Sequence, residues 1–275
     1  GGATTGTARL VRVAARRDRV VLPVWIVTVT GLAAAVVSTF ESTVADEAAR
    51  VATAQFSASN PLTRVFDGPA AGTELGAMIM VEAYLILAVL TAIMSLQAVT
   101  RHTRLEEETG RAELVGSTAV GREARLLAAL LLTMGAALVV GAAITTVLTA
   151  GGHGGAGAVA AGASITATGW VFAAVAAVTA QVMSTARAAN ATAGAVLAGA
   201  FVLRAVGDLM GTVEASGVEV TSAWPSWLSP LGWGQQVRPY ADDRWWVLAL
   251  PVLTALALVA VAAVLQARRD VGLGM

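Results

Sequence analysis

The chain has 275 residues, 56% of them hydrophobic and only 13% charged, with 18 basic and 18 acidic side chains. That balance excludes an ordinary soluble domain, and the zero net charge argues against nucleic acid as a partner. Without cysteine the chain holds no disulfide, thiolate nucleophile or Cys-based metal site.

Residues 8–19 interleave arginine with apolar residues at helical spacing. Leu10, Val13 and Ala14 fall on one face, with Arg12, Arg16 and Arg19 on another. The segment predicts an amphipathic helix lying in the membrane interface; a plain basic flank to the first span is the alternative. Six apolar runs follow, near 20–40, 75–100, 125–150, 158–183, 188–211 and 245–266. Each reaches the roughly 20 residues a helix needs to cross a hydrocarbon core about 30 Å thick. The expected fold class is therefore all-α: one polytopic membrane domain, 1–275, with six transmembrane helices.

Between and within the runs, several residues carry local expectations. Pro23 falls in the first turn of its run, where it is tolerated, whereas Pro251 lies deeper in the sixth and predicts a kink. Residues 41–73 read as a long acidic loop, and 151–157 (GGHGGAG) as a flexible turn. His153 in that turn reads as a solvated loop residue, because no second metal ligand is near it in sequence. Gly169, Ala173, Ala177 and Gln181 recur every fourth residue in the fourth run, as do Ala191, Ala195 and Gly199 in the fifth. Small residues so spaced let helix backbones approach closely in lipid.

Arginine placement sets the expected topology. Every basic residue is Arg, and thirteen of the 18 flank the first span, join spans 2 and 3, join spans 4 and 5, or follow span 6. Four lie on the opposite side, and Arg204 lies inside span 5. The positive-inside rule then places both termini in the cytoplasm. Trp224, Trp227, Trp233, Trp245 and Trp246, five of the seven tryptophans, cluster between spans 5 and 6. Trp favours the headgroup level, so 212–244, broken by Pro225, Pro230 and Pro239, reads as an external re-entrant or interfacial helical hairpin. An ordinary loop resting on the membrane is the alternative.

Glu82, Arg204 and Asp208 are the ionisable residues well inside apolar runs. A charge at the bilayer centre costs roughly 2.5–3.5 kcal/mol on insertion scales. Counting ~1.5 Å per residue, Glu82 and Arg204 both lie ~10 Å into the outer leaflet. Arg204 and Asp208 are one helical turn apart and can pair. The three are expected to form a polar cluster facing the bundle interior. It reads either as a gate or substrate-path element, or as an ion pair fixing helix register.

The segment joining spans 2 and 3 is the most specific in the chain: RHTRLEEETGRAELV from Arg101, then GSTAVGR to Arg122. It reads as a short, densely charged helix broken by Gly110 and Gly116, suited to docking a soluble protein. Its stretch EEETGRAELVGSTAVGR resembles the cytoplasmic motif of bacterial ABC-2 type permeases, more narrowly those known as exporters of polyketide antibiotics. The segment Leu228-Ser229-Pro230-Leu231-Gly232-Trp233, with Arg238-Pro239-Tyr240 after it, matches the SPxGW-like stretch of the same group. The resemblance covers essentially the whole chain. It departs in one respect: such permeases usually carry two six-span halves in one chain, and here there is one.

The resemblance implies a permease subunit of an ATP-driven exporter in the bacterial cytoplasmic membrane, moving lipophilic or amphipathic antibiotic-like compounds outward. Residues 105–115 would be its coupling helix, seated in a cleft of a separate ATPase. Glu106, Glu107, Glu108, Arg111 and Glu113 would make polar contacts there, Leu105 and Leu114 apolar ones, and Gly110 would break the helix. Two ATPase subunits and a second six-span half, from the same chain type or a longer chain, are the expected partners. ATP and magnesium would belong to the ATPase, since this sequence has no GxxxxGK[ST] loop. No catalytic constellation and no metal site is expected on this chain. A non-transporting membrane scaffold that recruits a cytoplasmic partner through the same loop is the competing reading.

Overall fold

In hydrocarbon every backbone N–H and C=O must be satisfied within the segment, so long apolar runs become helices. A computed structural model describes residues 4–44, 46–109 and 123–268. In chain order α1 is Thr7–Arg17, α2 Val21–Thr43, α3 Glu47–Ser59, α4 Pro61–Phe66, α5 Leu75–His102 and α6 Arg104–Glu108. There follow α7 Ala124–Ala150, α8 Ala156–Val182, α9 Ala186–Leu209, β1 Thr212–Val213, β2 Val220–Thr221, α10 Pro230–Gln236 and α11 Ala249–Arg268. Six of these segments are long and apolar enough to cross a membrane: α2, α5 continued by α6, α7, α8, α9, and α11 with the turn before it. The six expected spans and the all-α class are therefore present.

Several expectations are corrected. Residues 41–73 are largely helical. Asp46 caps α3 by accepting the Ala49 N–H at 2.7 Å, and Asn60 caps α4 by accepting that of Leu62 at 2.9 Å. Pro61 sits at the start of α4, where a missing N–H costs nothing. Pro251 does not kink a span interior: α11 begins at Ala249 after a 3₁₀ turn, Trp245–Leu248, so the proline lies in the first helical turn. The segment 212–244 is not a helical hairpin. It opens with an antiparallel β-hairpin pairing Thr212 with Thr221 and Val213 with Val220. Val220 N–H also donates to the Ala70 carbonyl at 2.8 Å, tying the hairpin to the end of the α3–α4 segment. A 3₁₀ turn, Trp224–Leu228, and α10 complete it.

The central helix is α8, the most enclosed of the six spans, packed on α5, α7 and α11. Its small residues make this contact. Gly162 and Gly141 of α7 meet backbone to backbone, and a Cβ on either would overlap the other's carbonyl. A Cβ on Gly169 would lie 2.8 Å from that of Ala137. The expected stripe in α8 is thus buried against its neighbours. The stripe in α9 is not: Ala191, Ala195 and Gly199 are exposed, and no atom lies within 4 Å of where a Gly199 Cβ would be.

The Ser-Pro-Leu-Gly-Trp stretch builds one corner. Ser229 caps α10, and its hydroxyl donates to the Ala200 carbonyl at 2.6 Å. Gly232 presses on the Ser226 carbonyl, where a Cβ would overlap, and Trp233 Nε1 donates to the Trp227 carbonyl at 2.5 Å. Trp227 stacks on Trp246 with ring centroids 5.8 Å apart. Tyr240 packs its ring on the Cα of Gly76, where a Cβ would come within 2.7 Å, and donates its hydroxyl to the His153 carbonyl at 2.5 Å. His153 lies in the turn after α7, as expected, but is half-buried, its Nε2 3.3 Å from Glu41 Oε1.

Candidate functional site: a clasped helix and two sets of charges

At one end of the bundle, α6 continues α5 after a break at Thr103, and every charged side chain of α6 is engaged within the chain. Arg104 is fully buried: Nε and Nη2 donate to the Ser184 carbonyl at 3.0 and 2.5 Å, and Nη1 to Glu107 at 2.8 Å. Glu108 accepts the Ala186 N–H in the first turn of α9, where free amides and the helix dipole favour an anion. Glu106 pairs with Arg17 at the end of α1 and lies 3.7 Å from His102 Nδ1. Asp18, 2% exposed, accepts from Arg101 at 2.5 Å and is bonded to His102 Nε2 at 2.8 Å. The short helix is thereby clasped to α1, α5 and the α8–α9 turn.

Leu105 is the exception on α6. It is exposed and lines, with Arg17, Val21 and Glu106, an open cleft of about 680 Å³. Of the residues the resemblance implicates in coupling, Glu106, Glu107 and Glu108 are in this clasp, and Leu105 faces the cleft beside it. Gly110, Arg111, Glu113 and Leu114 lie outside the described residues. Sequence reasoning missed Asp18, His102 and Arg104 as structural partners. One signal was present: Asp18 is the lone acid among the five arginines of residues 9–19.

At the other end the intramembrane charges divide. Arg204 and Asp208, both fully buried, face each other at 3.4 Å. Arg204 also donates to the Val65 carbonyl and lies 5.2 Å from the Phe201 ring centroid, while Asp208 accepts from Ser222 Oγ at 2.6 Å. Glu82 does not join them. It sits on an exposed face of α5, among the described residues no cationic nitrogen lies within 4.0 Å of its carboxylate, and it lines a cavity of about 230 Å³ shared with Asp67. The cause is register: Ala83 and Tyr84 turn into the bundle, so Glu82 turns toward α3 and α4. Burial raises the Asp67 carboxyl above the usual carboxylate range, and the Arg204 guanidinium partly offsets this. No group of three metal-ligating side chains occurs among the described residues.

Six apolar helices, buried intramembrane charges and a tryptophan-rich cap define a multi-pass helical membrane protein. The family model described as "Multidrug efflux system permease Rv1217c, C-terminal domain" matches residues 9–267, and the chain belongs to that family. It is similar to the multidrug efflux system permease protein Rv1217c of Mycobacterium tuberculosis (strain ATCC 25618 / H37Rv), with 44% identity over 276 residues. The match covers 100% of this chain and 48% of that relative, so the chain spans about half the length of the curated relative it matches. These likenesses also place it in a bacterial membrane.

Proposed function

We propose that this chain is one six-span half of the permease of an ATP-binding-cassette exporter, of the ABC-2 type, expelling lipophilic or amphipathic compounds. ATP and magnesium are bound by a separate pair of ATPase subunits, and a second six-span half completes the path. The clasp around α6 carries this reading. A helix meant to pass force from a soluble motor must be rigidly joined to the spans that move, and α6 continues α5 and reaches α1 and α9 through charge-assisted bonds. Exposed Leu105 and its open cleft offer a surface to a partner. ATP-driven closure of the ATPase pair would favour one of two bundle states, as differential binding requires.

The test is co-expression with ATPase subunits, purification in detergent and measurement of ATP hydrolysis. An ATPase is expected to co-purify and to be stimulated by lipophilic compounds, with stimulation lost on deleting residues 105–115. An ATPase that neither co-purifies nor responds to the deletion overturns the proposal and leaves the scaffold reading.

A further inference from the structure

We infer that the cavity between α3, α4 and the first turns of α5 is a binding site for a lipophilic organic cation. Its volume is about 230 Å³, and Phe40, Phe56, Met78 and Val81 supply apolar and aromatic surface around two carboxylates, Asp67 and Glu82. The combination is selective. Aromatic faces and a thioether attract a soft, weakly hydrated cation, at about 0.5–2 kcal/mol per aromatic contact. A small, strongly hydrated metal ion instead needs several oxygen ligands in a tight shell.

The placing of the charges favours a cation in the cavity. Around this end of the bundle Arg64 and Arg204 face Asp67, Asp208 and Glu82. Arg204 is engaged by Asp208 and the Val65 carbonyl, and Arg64 Nη1 donates to the Gly211 carbonyl at 3.0 Å. Arg50, on the α3 face that carries Thr53, Ala54 and Ser57, is a third cation at this end, and among the described residues no guanidinium nitrogen lies within 4.0 Å of the Asp67 or Glu82 carboxylate. Glu82 in particular stands on an apolar span with no cationic partner among the described residues. A carboxylate so placed is costly unless a counter-ion arrives. A monocation with an apolar body answers both the charge and the walls.

The assignment rests on the permease reading for the cation's being cargo, while binding itself is read on this chain alone. The probe is benzyltrimethylammonium, titrated by calorimetry into the purified chain in dodecyl maltoside, a neutral detergent that supplies no cation. The control is neopentylbenzene, its uncharged carbon isostere. One-site binding of the cation is expected, weakened roughly tenfold by Glu82→Gln and by Asp67→Asn. Both variants should keep the wild-type helical circular-dichroism signal, and the isostere should bind far more weakly. Undetectable cation binding, equal binding by the isostere, or unchanged affinity in both folded variants overturns the site. An ATPase that still co-purifies in that event leaves the permease reading standing.

Discussion

The Arg204–Asp208 pair illustrates how much a single buried charge depends on its partner. Both side chains are fully buried, and each has further ties: Arg204 to the Val65 carbonyl, Asp208 to Ser222. Desolvating two ions costs several kcal/mol each, which their attraction roughly repays, so the pair itself adds little net stability. Removing one member leaves the other uncompensated. Asp208→Asn and Arg204→Met are each expected to destabilise the chain by about 3 kcal/mol. The double variant Arg204→Met/Asp208→Asn should lose less than half of their sum, since it removes both charges and keeps an acceptor for Ser222. Thermal unfolding in detergent, followed by circular dichroism, measures all three. Additive losses would show that the two residues act independently. Exchanging Glu82 with Arg204 is not expected to restore anything, because Glu82 faces the α3–α4 cavity instead.

Among the elements, α6 is too short to hold itself: five residues make little more than one helical turn, below the length at which helices are stable alone. Its order comes from the clasp. The members of that clasp differ in weight. The Arg17–Glu106 pair has a half-exposed arginine, so Arg17→Ala should change stability by under about 1 kcal/mol. Asp18 is buried and holds two neighbours, and hydrogen bonds to a charged group contribute about 1.5–3 kcal/mol. Asp18→Asn is therefore expected to lower stability by about that amount, and to cut drug-stimulated hydrolysis by the co-purified ATPase far more than Arg17→Ala does. Equal effects of the two variants on stimulation would detach Asp18 from coupling. The elements also differ in how far the sequence exposes them. The six spans were legible because twenty-residue apolar runs have one outcome in lipid. Helices α3 and α4 were not, because they are short and mix polar with apolar residues; only the caps Asp46 and Asn60 with Pro61 signalled them. The separation of Glu82 from Arg204 was illegible as well. Equal depth along two helices says nothing of the face each residue takes, and that is fixed by packing against α8 and α10.

For the whole molecule, the structure puts described members of the thirteen-arginine set and the tryptophan-rich cap at opposite ends. Arg17 and Arg101 lie beside α6 and Arg104 begins it, whereas Trp224, Trp227, Trp245 and Trp246 lie beyond the far end of α9. If basic ends stay inside during insertion, α6 faces the cytoplasm and α3 the outside. The chain has no cysteine, so an introduced one is the sole thiol to react. Gln55 on α3 and Thr109 just past α6 are both exposed, which makes each accessible to a maleimide. With a membrane-impermeant reagent, Gln55→Cys should label in intact cells and Thr109→Cys only after lysis. Labelling of Thr109→Cys from outside would invert the bundle. It would place α6 beyond the reach of any cytoplasmic ATPase, and no arrangement of clasp or cavity could then serve an exporter driven from within.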